Sequence, residues 1–88
     1  MPYIKQDKRD DMNEAIGKLF NTINTPGELN YAITELSRRY MVTSGVSYVT
    51  LNTVIGVLEC AKQEFYRRAA VPYENQKTTE NGDVYGPG

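Results

Sequence analysis

Eighty-eight residues with a net charge of −1 make one small domain, whose thin core calls for support from helix pairing, a partner or self-association. One cysteine and no histidine exclude an internal disulfide, multi-cysteine metal centres, the usual zinc sites and Ser-His or Cys-His catalysis. No apolar run is long enough to span a membrane. Neither the mildly basic middle nor the acidic tail has the dense basic footprint of a DNA or RNA binder.

The opening MPYIKQDKRDD is charged and lacks a hydrophobic signal core, so a cytoplasmic protein is expected. Met1 to Gln6 reads as an extended arm that Tyr3 and Ile4 pin to the domain. Asp7 is the expected N-cap of a first helix over about 8–24. Met12, Ala15, Ile16, Leu19 and Ile23 form its apolar stripe, with Phe20 at the edge. Thr25-Pro26-Gly27-Glu28 has the pattern of a capping box, with proline at the first helical position. It predicts a second helix over about 26–43, with Leu29, Ala32, Ile33, Leu36 and Tyr40 on the buried side. Tyr31, Glu35 and Arg38 are expected to point away from that side. Gly45 stops this helix and Ser47 caps the next.

The third helix, about 48–71, is the longest proline-free run with helical rhythm. Leu51, Val54, Ile55, Leu58, Ala61, Phe65 and Ala69 recur at three- and four-residue steps. At 1.5 Å per residue it is roughly 35 Å long. Pro72 is expected to end it, because its ring disfavours helix in the residue before. The remainder, PYENQKTTENGDVYGPG, is rich in Asn, Gly, Pro and Thr, with a tight turn expected at Asn81-Gly82-Asp83. The fold class is therefore all-α: a three-helix domain over 1–71 centred on an antiparallel helical hairpin, followed by an irregular, extended C-terminal tail over 72–88. That tail is expected to pack back on the domain as far as Tyr85, through Tyr73, Val84 and Tyr85.

Two arginine pairs, Arg38-Arg39 and Arg67-Arg68, lie next to Tyr40, Tyr66 and Tyr73. Arginine with tyrosine suits phosphates and nucleobases, through bidentate hydrogen bonds and stacking. These seven residues are the candidate ligand site; the alternative is an ordinary solvated helix face with cations near helix C-termini. Thr53, Gly56 and Cys60 line another face of the third helix, where small side chains let a second helix approach, so they are the candidate oligomer interface. A mid-helix glycine costs about 1 kcal/mol relative to alanine and calls for such a reason. Cys60 otherwise reads as a small buried hydrophobe, since nothing nearby favours a thiolate. Lys62 falls within the apolar stripe and must snorkel outward or find a partner. Glu59 and Glu64 raise the reading of a magnesium site. Five residues turn the helix by roughly 140°, so the pair diverges. Glu64–Arg68 and Glu35–Arg39 are better read as salt bridges one helical turn apart. No metal ligand, catalytic residue or cofactor is assigned.

The blocks MPYIK, LNYAITEL, VIGVLECAKQEFYRRAAVPYE and ENGDVY together resemble a small uncharacterised all-helical family of short proteins from bacteria and their phages. The resemblance covers nearly the whole chain and implies that the tail, as far as Tyr85, belongs to the module. It implies no catalytic residues. A looser likeness, in size and design alone, is to short phage helical-hairpin proteins that oligomerise and sequester cyclic nucleotide signals.

The expected function is that of a non-enzymatic, self-associating helical binding module, a homo-oligomer holding an anionic nucleotide between subunits. The alternatives are a protein–protein interaction adaptor and a magnesium-dependent nucleotide hydrolase.

Overall fold

A computed structural model describes residues 3–86. These residues are all-α and contain no strand. They form α1 (Gln6–Phe20), α2 (Pro26–Ser44), α3 (Tyr48–Phe65), one π-helical turn (Tyr66–Ala70) and α4 (Val71–Asn81). The chain divides inside α3 into two units, Met1–Val54 and Ile55–Gly88.

In the first unit, α1 starts at Gln6 rather than after Asp7. Lys5 takes the N-cap position without a side-chain cap, and Asp7 sits in the first turn. The helix gains this extra length from local bonds: Arg9 N–H to Lys5 O at 3.0 Å, Arg9 Nε to Ile4 O at 2.8 Å, and Gln6 Nε2 to Asp10 Oδ1 at 2.8 Å. Tyr3 to Lys5 are non-helical, as an arm should be, but Gln6 is already in the helix; Met1 and Pro2 lie outside the described residues. The same helix ends at Phe20, short of the expected Asn24. Thr22 N–H and its hydroxyl both bond Leu19 O, at 2.9 and 2.7 Å, and Ile23 N–H bonds Phe20 O at 3.0 Å. These tight bonds close the last turn and swing the chain toward α2.

The start of α2 is the capping box its sequence announces. Thr25 Oγ1 accepts Glu28 N–H at 3.1 Å, and Glu28 Oε1 accepts Thr25 N–H at 3.0 Å and Asn24 N–H at 2.7 Å. Three backbone donors are satisfied by two side chains. Thr25→Ala is expected to lower helix stability by about 1 kcal/mol, read by thermal unfolding, with Thr25→Ser close to wild type. Gly45, at φ 94°, stops α2 in a conformation that penalises any Cβ. Ser47 then caps α3 by accepting Thr50 N–H at 3.1 Å, while its hydroxyl donates to Thr50 Oγ1. Thr50 is the one buried residue among those described.

In the second unit, the structure corrects the expectation that Pro72 ends the helix before an irregular tail. Residues Val71–Asn81 are helical. Pro72 lacks an N–H, and in a regular helix its ring would press on the carbonyl four residues back, at a cost of about 3 kcal/mol. The chain relieves this with the π turn: Val71 N–H bonds Tyr66 O, five residues back. Pro72 then stands in the first turn of α4, where a missing donor costs little. The wider turn adds one residue to the register. In a regular helix the residue seven on lies nearly above the first. Here it is the eighth, and Tyr66 Oη reaches Glu74 Oε1 at 3.4 Å.

Gly82, at φ 85°, ends α4. Beyond it Asp83 Oδ1 accepts Tyr85 N–H at 2.8 Å and Asp83 O accepts Gly86 N–H at 3.2 Å, so the expected turn falls over Asp83 to Gly86. Pro87 and Gly88 lie outside the described residues.

No hydrophobic residue among those described is buried. The stripes of α1, α2 and α3 form as periodicity demands, yet Ile16, Leu29, Leu36, Ile55 and Leu58 all remain exposed. Helix formation here rests on caps, side-chain pairs and propensity.

Candidate functional site

Two clusters of charged side chains stand out, one in each unit. The first lies in the first unit. The tight turn after α1 brings Leu19 and Ile23 beside α2, where Ala32 and Leu36 face them across an open groove of ≈ 690 Å³. Tyr31 and Glu28 line it near the start of α2, Glu35 and Arg39 farther along. Tyr31 and Glu35, which the stripe of α2 places on its opposite side, line the groove instead. Both are within reach because the groove follows residues 28, 31, 32, 35, 36 and 39, steps of three and four that a broader reading of the stripe includes. Glu28 and Arg39 are eleven residues apart, roughly 16 Å along the axis.

At the Arg39 end, one carboxylate holds two guanidinium groups. Glu35 Oε1 accepts from Arg38 Nη2 at 2.6 Å and from Arg39 Nε at 3.1 Å, and Glu35 Oε2 accepts from Arg38 Nε at 3.1 Å. Hydrogen bonds from Arg38 and then Arg39 bring the Glu35 carboxyl down to a pKa of about 2, from an ordinary 4.5. The Arg38 guanidinium is held more firmly protonated by the same bond.

The second cluster repeats this arrangement in the second unit. Glu64 accepts from Arg68 Nε at 3.1 Å and from Arg67 Nη2. The Arg68 hydrogen bond leads in lowering the Glu64 pKa. The two segments share the pattern Glu-x-x-Arg-Arg, Glu35 to Arg39 and Glu64 to Arg68, which stood in the sequence as a short repeat unread beyond its outer pairs. Each cluster carries one positive charge in excess. Tyr66 turns to Glu74, and Lys77 Nζ stands 5.6 Å from the centre of the Tyr73 ring.

A consequence for pH follows from the glutamates. A carboxyl whose folded pKa is depressed adds stability above its ordinary value, and that stability fades as pH falls toward the folded value. Helix content followed by circular dichroism is therefore expected to decline from about pH 4.5 toward pH 2. Glu35→Gln should start lower at neutral pH and lose part of that slope. A variant with the full wild-type slope would show that Glu35 does not contribute it.

Of the seven candidate ligand residues, the structure groups Arg38 with Arg39 on Glu35 and Arg67 with Arg68 on Glu64. Arg39 alone of the seven lines the groove, and Tyr40 is exposed outside its lining. Of the candidate interface residues, Thr53 donates its hydroxyl to Val49 O at 2.9 Å, and a Cβ built on Gly56 would meet nothing within 4 Å. Cys60 is exposed, which corrects its reading as a buried hydrophobe: a helix face without a covering neighbour leaves even a thiol in solvent. Lys62 finds its partner on its own helix, Nζ to Glu59 Oε1 at 3.2 Å. Gln63 bonds the same carboxylate at 3.1 Å, and Gln63 and Lys62 lower the Glu59 pKa. Among the described residues no three His, Cys, Asp or Glu side chains gather where they could hold a metal ion, and no helix is long and apolar enough to cross a membrane.

These features define an all-α protein whose helices are ordered by local side-chain bonds. The chain belongs to the family described as a domain of unknown function, DUF6899, whose pattern matches residues 1–84. The match takes in α4, as the resemblance implied for the tail. No curated protein and no solved structure matches the chain.

Proposed function

We propose that the chain is a self-associating helical module, which covers the apolar stripes of its helices with those of other copies. The observation that supports this reading is the exposure along well-formed stripes: α1, α2 and α3 each carry one, only a few of their residues such as Ile23, Ala32 and Val54 are half-buried, and no hydrophobic residue among those described is buried. In proteins, helices are held chiefly by packing of the amphipathic face rather than by propensity. An exposed apolar surface of this kind marks an interaction site. The open space at Gly56 would let another helix approach closely. Light scattering or sedimentation over a wide concentration range tests the proposal. A helical chain that keeps the mass of one copy throughout would overturn it.

A finer reading adds an anionic nucleotide between copies, in a bacterial or phage protein of the cytoplasm. Its support is the excess positive charge of each Glu-x-x-Arg-Arg cluster beside exposed Tyr40 or Tyr66. Titration calorimetry against cyclic and linear nucleotides decides it; the absence of heat with a folded protein removes the nucleotide and leaves the self-association.

A further inference from the structure

The apolar residues of α3 are set in a stricter order than those of the other helices. Leu51, Val54, Leu58, Ala61 and Phe65 follow one another at steps of three, four, three and four. That alternation is the seam of a heptad, narrower than the face a helix lays on a globular core, and such a seam packs against another helix. Val54 is half-buried and the other four are exposed. Ile55 and Val57, both exposed, flank the seam on its two sides. Tyr48 and Lys62 share the flank of Ile55, and Thr50 and Glu64 share that of Val57, each seven residues away. Thr53, Gly56 and Cys60 lie off the seam.

Charge and volume both decide which helix fits it. Glu59, Lys62 and Glu64 all stand in the second half of α3, and Tyr48 to Leu58 carry no charge. Two copies laid side by side in the same direction would set their charged halves together. With one copy reversed, each charged half runs along the uncharged half of the other. Lys62 then comes beside the ring of Tyr48 in the second copy, which is 80% exposed and able to receive a cation on its face. Reversal also sets the helix dipoles against each other favourably. As to volume, a parallel pair would stack Ala61 on Ala61 and leave a gap, with Phe65 crowded on Phe65. The reversed pair sets Leu51 against Ala61 and Val54 against Leu58, so that large faces small and the layers interdigitate.

We infer that α3 of one copy pairs antiparallel with α3 of a second copy, with the twofold axis level with residue 56. This rests on the self-association reading and names the surface, the partner and the direction of the contact. The same patch meets itself, so the contact is isologous and closes as a pair. Ile55 then meets Ile55, and Val57 meets Val57, on either side of the axis.

Cysteine cross-linking in the full chain tests it, with Cys60→Ser as the background so that only the introduced thiols react. Light scattering reads the mass of the reduced proteins and circular dichroism their helix content. Ile55→Cys and Val57→Cys are each expected to oxidise to a linked pair at least about tenfold faster than Leu51→Cys or Phe65→Cys, because thiols held together react at a raised effective concentration. Leu51→Cys mixed with Ala61→Cys should give the mixed disulfide in preference to either self-linked pair. Rapid self-linking of Leu51→Cys and Phe65→Cys would overturn the antiparallel direction. Assembled protein in which Ile55→Cys, Val57→Cys and the mixture all fail to link would overturn the α3 contact and leave self-association standing. A wild-type chain that keeps the mass of one copy overturns both.

Discussion

Replacing Ile55 and Leu58 together by aspartate is expected to convert assembled protein to single chains while leaving it helical. Both side chains lie on the α3 stripe, three residues apart, and both are exposed in a single chain. Neither substitution disrupts packing in the described structure, and each costs a helix interior only about 0.7 kcal/mol in propensity. The loss would fall on association. Covering a Leu or Ile side chain contributes about 1.5–3 kcal/mol, and a carboxylate without a partner in that place adds a desolvation cost. Two positions thus remove at least about 3 kcal/mol, which weakens association by a factor of roughly 100 or more. Light scattering reads the mass and circular dichroism the helix content. A double variant with unchanged mass and spectrum would show that the α3 stripe lies outside any interface.

Pro72→Ala is expected to remove the π turn. With an N–H at residue 72 the chain can resume regular helix from α3 into α4. Tyr73, not Glu74, then comes to lie over Tyr66, and the Tyr66–Glu74 bond is lost. The variant should gain thermal stability by about 1 kcal/mol, well below the full interior-proline cost, because the π turn and the first-turn position of Pro72 already relieve most of it. The exposed face of α4 would rotate by roughly 100°, one residue of helix. Backbone carbon chemical shifts across Tyr66–Glu74, with hydrogen exchange at Ala70 to Tyr73, would show the change. Persistence of the π turn in the variant would place its origin in the Tyr66–Ala70 residues themselves.

Much of what neighbouring residues decide is legible in the sequence. Thr25 and Glu28 announce a capping box because each bond spans three residues, and Ser47 and Gly45 work over similar distances. Glu35–Arg39 and Glu64–Arg68 follow from helical pitch alone. Pro72 does not stop the helix because its effect on the preceding residue is a bias, and a turn of one extra residue satisfies it. The groove was illegible for another reason. It exists only because bonds from Thr22 and Ile23 end α1 early and bring Leu19 and Ile23 beside α2. The exposure of Cys60 is not legible because burial depends on what covers a helix, and sequence periodicity gives the face without the cover.

The locality of these bonds also bears on how quickly the protein becomes competent. Caps, turns and side-chain pairs join residues that are close in sequence, so each helix can form within about a microsecond, without waiting for distant parts of the chain. If apolar cover comes from another copy, the slow event is a meeting between molecules. Maturation would then be timed by abundance: scarce chains remain helical and uncovered, and the same chains mature as synthesis raises their number.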